Sequence, residues 1–239
     1  MSKYALIGNK KRMQKPLDNK RLFLKKLEES DITCEKLKNR LHFLQEMYHI
    51  LDYHKIAIKF EPEKYENVLN GYFSSIKKCI CLTQIDNLDN YDISITFRIL
   101  IHEFSHFLQH LEGNDFIEDT KFENVGKILE YSNIASYEKH FENLKKCELD
   151  AARRVLSFNR IYDLGFSEEL YTKIALIYIT SIELSKCMGM SLSAFFWKKQ
   201  IELLEYVTAD YEKVKKLDVS INYDSKLFQE MKRLFYLHH

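Results

Sequence analysis

Two prolines and six glycines are all the chain breakers among 239 residues. So few sharp turning points argue against a loop-rich or many-stranded architecture and favour long helices with short connections. The five cysteines, Cys34, Cys79, Cys81, Cys147 and Cys187, are odd in number and contain no C-x-x-C pair. Neither a disulfide framework nor a cysteine-ligated zinc site is therefore indicated, and reduced thiols are expected. No stretch approaches ~18 uninterrupted apolar residues, and the opening MSKYALIGNKKRMQKP has too short an apolar run for a secretory signal. A cytoplasmic location with no membrane span is the expectation. Charge of one sign is missing too: 36 Lys plus Arg against 35 Asp plus Glu leave a formal net charge of +1. That removes any global field toward nucleic acid or lipid. A local exception is the basic start, with Lys3, Lys10, Lys11, Arg12, Lys15, Lys20 and Arg21. It reads first as a solvated terminus and second as an arm that touches phosphates.

What is present is a composition of 46% hydrophobic and 30% charged residues, the profile of a globular chain. DNKRLFLKKLEES and TCEKLKNRLHFLQEMYHILDYH carry apolar residues at three- and four-residue steps, with Asp18 and Thr33 positioned as caps, and predict two helices. KIAIKFE then alternates, and GYFSSIKKCICLTQ is rich in β-branched and aromatic residues after Asn70-Gly71. At least two short antiparallel strands are expected there. Further helices are predicted over 93–112, with Asp92 or Ser94 as cap, and over 134–162, 167–188, 191–208 and 224–237, with Gly165 and Gly189 as stops. The expected class is α+β, mostly α-helical. Residues 1–50 read as a basic arm and helical annex, and 51–239 as the main domain.

The informative segment is ITFRILIHEFSHFLQHLEG, residues 95–113, which sets His102, Glu103 and His106 into an apolar run. Histidines four apart lie one turn above each other on a helix, so their ring nitrogens can converge on one ion. Zinc takes neutral imidazoles at about 2.0–2.1 Å, and two rigid rings supply half a tetrahedron. Glu103, beside the first ligand, can reach a water at the open coordination position as general base. This is the H-E-x-x-H logic of zinc peptidases. Ile99, Leu100, Ile101, Phe104, Phe107 and Leu108 flank the motif, and ionisable groups buried among them cost several kcal/mol without a partner. His110 stands about 12 Å along the axis from His102, too far to join, and is read as a rim residue. Gln109 and Glu112 occupy the positions where a metzincin needs Gly and His, which excludes that class.

A glutamate from a second helix is the remaining common solution for the third ligand. KKCELDAARRVLSF offers Glu148, with Ala151, Ala152 and Val155 at helical spacing permitting close helix approach. Asp150 points about 200° away around that helix. It either orients a ligand histidine, caps a nearby helix, or pairs with Arg153 or Arg154.

The pairing of HEFSHFLQH with ELDAARRV resembles the gluzincin branch of metallopeptidases, and most of all the ImmA/IrrE-like and phage-borne zinc peptidases, over roughly residues 55–180. The resemblance implies a zincin-like core for the main domain; the expected fold adds a small antiparallel sheet packed on the motif helix and extra C-terminal helices, and residues 1–50 and 190–239 have no counterpart in the family. It implies Zn²⁺ held by His102, His106 and Glu148, Glu103 as base, and hydrolysis of a cytoplasmic protein or peptide, with a phage or mobile-element regulator as one target. Ala152 departs from the Asn, Asp or Glu of many relatives. A working site also needs a donor to the developing oxyanion. Tyr131, Tyr137, His140, Tyr162, Tyr171 and Tyr178 all remain open for it. SIKKCICLT is expected to be the edge strand that pairs with extended substrate. The rival reading is a zincin-fold binding or regulatory module whose metal only staples helices, with a protein or nucleic-acid partner.

Overall fold

The computed structural model describes residues 20–30, 34–61, 71–83, 90–113, 134–188 and 199–238. Elements run α1 Lys20–Glu28, α2 Cys34–Tyr53, β1 Ala57–Glu61, β2 Gly71–Ser74, β3 Cys79–Thr83, α3 Asn90–Leu111, α4 Ile134–Tyr162 and α5 Glu168–Met188. Residues 199–203 are helical and lead into the 3-10 turn Leu204–Tyr206. α6 Tyr211–Lys215 and α7 Lys226–His238 follow. The class is mostly helical α+β with one small sheet. None of the described helices is long and apolar enough to cross a membrane.

Helix α3 forms because its apolar residues recur at helical spacing. Phe97, Leu100, Ile101, Phe104 and Phe107 are each at most 2% exposed. Each contributes roughly 1.5–3 kcal/mol by leaving water. They meet Phe23 and Leu27 of α1, Phe43, Leu44, Met47 and Leu51 of α2, Ile58, Ile80 and Leu82 of the sheet, and Leu149, Ala152 and Val155 of α4 in one core. Arg40 ties the layers together. Its guanidinium donates to the Leu164 carbonyl at 2.9 Å and the Ser94 hydroxyl at 3.2 Å. The Phe97 and Phe166 rings lie 5.2 and 5.1 Å from it. Burial lowers the pKa of Arg40 to about 10.

The sheet corrects one expectation. It is mixed, in the order β1-β3-β2, with β3 parallel to β1 and antiparallel to β2. Alternation fixes which face of a strand is buried, but it does not say which edge the next strand takes. The 75–78 turn, with Lys78 at φ 48°, folds β2 back on β3 and leaves the other edge of β3 to β1. SIKKCICLT therefore contains the central strand β3, whose two edges are both paired, and cannot offer a free edge to substrate. The edge strand against α3 is β2. A Cβ on Gly71 would sit 2.7 Å from Ile99 Cγ2, so glycine there permits the close approach of strand to helix.

Other boundaries hold or shift modestly. α4 runs unbroken over the expected range, and Gly165 at φ 78° separates it from α5. α3 begins at Asn90, which puts Asp92 and Ser94 inside the helix and not at its cap. Asp18, Thr33, Gly189 and residues 191–198 lie outside the described residues. Beyond them the helix ends in the 3-10 turn at Tyr206, and α6 is a short helix the sequence pattern did not suggest.

Candidate metal centre

The site is built where α3 crosses α4. Ala151 and Ala152 are at most 1% exposed, and their small side chains let the two helices approach closely. His102 and His106 project from one face of α3, and Glu148 projects from α4 toward them. His102 Nε2 lies 3.1 Å from His106 Nε2 and 3.1 Å from Glu148 Oε2, while His106 Nε2 lies 3.6 Å from Glu148 Oε1. Zinc at about 2.0–2.1 Å from each of its donors would require donor separations of roughly 3.3 Å in a regular tetrahedron. The observed separations bracket that value, with Glu148 presenting Oε2 to His102 and Oε1 to His106. His102, His106 and Glu148 thus form a group that could hold a metal ion.

Electrostatics follow from this convergence. Burial disfavours the Glu148 carboxylate, but His106, and hydrogen bonds from both imidazoles, outweigh it and hold its pKa down to about 2. Burial also disfavours the His106 imidazolium, but Glu148 and Cys147 outweigh it and hold its pKa well above the usual value. Without a metal, the pair is an internal ion pair in which a proton takes the cation's place.

Glu103 is 7% exposed, on the same turn as the histidines. Burial raises its pKa, opposed by His106 and His102, while Glu148 adds to the rise and the main-chain N–H of Phe73 in β2 opposes it. A carboxylate whose proton affinity is raised in this way is better suited to take up a proton than an exposed one. The contact with Phe73 also sets Glu103 against the edge strand of the sheet.

The remaining expected residues separate clearly. His110 is exposed and its ring lies 5.7 Å from that of Phe73, a rim position. Asp150 pairs with both Arg153 and Arg154. It also accepts from Gln109 at 2.9 Å, so it reaches His106 through that amide. Among the oxyanion-donor candidates, the Tyr162 hydroxyl donates to Glu46, and Tyr171 Oη lies 2.9 Å from His102 Nδ1. The pKa of Tyr178 is raised first by burial and then by the Glu148 and Glu103 carboxylates, so it stays protonated and feels the site. His140 lies on the first turns of α4, ring to ring with Phe141. Tyr131 and the Tyr137 side chain lie outside the described residues.

Three contributors were not foreseen as such. Gln109 Oε1 lies 2.9 Å from His106 Nδ1, and the Cys147 thiol donates to the same oxygen at 3.2 Å. Tyr171 grips the outer nitrogen of His102. A buried polar residue three positions after a ligand histidine is the signal that would have identified Gln109. Comparison with known proteins finds no matching family model, no matching curated protein and no matching solved structure.

Proposed function

We propose that this chain is a zinc-dependent metallopeptidase on a zincin-like core, with His102, His106 and Glu148 as metal ligands and Glu103 as general base. The observation that carries the reading is the convergence of His102 Nε2, His106 Nε2 and the two Glu148 oxygens at separations of 3.1, 3.1 and 3.6 Å, with a buried glutamate beside them. Imidazole and carboxylate donors in tetrahedral spacing suit zinc, and two histidines with one glutamate leave a coordination position open, as catalytic sites do.

Zinc, when bound, supplies Lewis-acid polarisation of a carbonyl and lowers the pKa of a water. Glu103 takes the proton from the attacking water and passes it to the departing nitrogen. Its raised pKa suits the first half of that transfer. Tyr178, held protonated in the field of the Glu148 and Glu103 carboxylates, is the candidate donor to the developing oxyanion. The edge of β2, against which Glu103 rests, supports an extended chain by main-chain hydrogen bonds, with Phe73 and His110 at its rim. The substrates are proteins or peptides, expected to be cytoplasmic.

Glu103→Gln separates this reading from a metal that only staples helices. The variant keeps the shape of the side chain and is expected to retain zinc while losing cleavage of a whole-proteome digest. Cleavage by the variant at the wild-type rate would rule out a base at this position.

A further inference from the structure

We infer that Gln109 is a positioning residue, a single amide that orients the ligand His106 on α3 and at the same time fixes the α4 backbone that carries the ligand Glu148. The inference rests on the metal-site reading above and assigns the device that holds its two halves in register.

Asp150 fixes the direction of this hydrogen-bond chain. Its Oδ1 accepts from Arg153 Nε at 3.1 Å, its Oδ2 accepts from Arg154 Nε at 2.8 Å, and Arg154 is itself gripped by Glu112 at 2.8 and 2.6 Å. A carboxylate held by two guanidinium groups only accepts. Oδ2 also lies 2.9 Å from the Gln109 side-chain amide, so the atom facing it is the NH₂ group. The second hydrogen of that group goes to the main-chain oxygen of Cys147 at 2.9 Å, the residue immediately before Glu148. With Nε2 so assigned, Oε1 faces His106 Nδ1 at 2.9 Å, and it also accepts from the Cys147 thiol at 3.2 Å.

Gln109 is 1% exposed, and all four of its hydrogen-bonding positions are filled. Flipping the amide would aim its oxygen at a carboxylate and a carbonyl. The chain of donors therefore has one direction, and it ends in a proton on His106 Nδ1. Nε2, the atom that converges with His102 and Glu148, is left as the metal-facing nitrogen. Outer partners of this kind set ring orientation and tune metal affinity by about 10–100-fold. Here the same side chain also anchors the helix that delivers the carboxylate, so ring orientation and ligand spacing are coupled.

The test uses the full-length chain with zinc as the probe. Zinc Kd is measured by competition with a chromophoric chelator, the His106 Nδ1–H resonance is followed in the zinc-loaded protein, and thermal midpoints of the metal-free proteins control for folding. Gln109→Met, similar in length but apolar, is expected to weaken zinc by about 10–100-fold and to lose the slowly exchanging N–H. Gln109→Glu keeps an acceptor for His106 but removes both donors. It is expected to retain the N–H and still bind zinc more weakly than wild type. If Gln109→Met does not fold, Gln109→Glu decides alone. A lower thermal midpoint with an unchanged Kd assigns Gln109 a purely structural role and overturns the inference. Wild-type protein that fails to bind zinc removes the metal-site reading and this inference with it, whereas wild-type binding unaffected by either substitution removes only this inference.

Discussion

The Nε2 atoms of His102 and His106 stand 3.1 Å apart, with a Glu148 oxygen 3.1 Å from the first of them. Two imidazole nitrogens gathered around a carboxylate favour a positive charge among them. In the metal-free protein a proton supplies it, which is why the pKa of His106 is raised and that of Glu148 depressed.

Competition between proton and metal gives a pH dependence. The raised pKa of His106 contributes stability below its ordinary value of 6.5 that is lost as pH rises through the folded value. Glu148 contributes stability above its ordinary 4.5 that is lost as pH falls toward about 2. The metal-free wild type is therefore expected to gain most, relative to Glu148→Gln, between pH 4.5 and 6.5. Thermal midpoints of the two proteins across pH 2–9 check this. Calorimetry in buffers of different ionisation enthalpy should show about one proton released per zinc bound at pH 7.

Tyr178→Phe tests the oxyanion donor. The substitution removes one hydroxyl and no metal ligand, so zinc content is expected to stay at the wild-type level while kcat falls by about 10²–10³. An unchanged kcat would assign the role elsewhere.

Lys145 and Glu183, 5% and 2% exposed, form an ion pair linking α4 to α5. Tyr223 adds a hydrogen bond to Glu183 at 2.6 Å. Burial disfavours the Glu183 carboxylate, but Lys145 and Tyr223 outweigh it and depress its pKa. Its contribution is present above 4.5 and is lost as pH falls through the lower folded value. Lys145→Ala leaves the buried carboxylate with only the Tyr223 hydroxyl and the more distant Lys186 ammonium at 3.7 Å, and is expected to cost about 3 kcal/mol in urea denaturation at pH 7. The difference from wild type should shrink in acid.

Gly71→Ala tests the seating of β2 on α3. The added methyl meets the Ile99 side chain at 2.7 Å and the Cys81 carbonyl at 3.1 Å, so side chain or strand must shift, at a cost of about 1–3 kcal/mol. Because Phe73 of the same strand holds Glu103 through its N–H, the substitution is also expected to lower activity in the zinc-loaded protein. Retained activity at reduced stability would dissociate the strand from the site.

The local part of this architecture was legible because helix spacing is a strict ruler. His102 and His106 could face one ion only as a helical pair, and the Ala151–Ala152 step marked where a second helix approaches. Nonlocal choices were not legible. The hydrophobic alternation of β1 and β3 says which residues face α3 but not that the strands run parallel, and it could not exclude SIKKCICLT from the edge. Gln109 was hidden for another reason. Its spacing of three from His106 hinted at a contact with that ring, but its hold on α4 runs through Asp150 and Cys147, residues 38 to 41 positions away, which no periodicity encodes.

The most direct measurement of the central claim is the metal content of purified protein after exposure to equimolar zinc and dialysis, by elemental analysis. The account expects one zinc per chain in wild type and in Glu103→Gln, and a fraction of that in His106→Ala and Glu148→Ala. No stoichiometric zinc in wild type, or full occupancy after loss of Glu148, would contradict it.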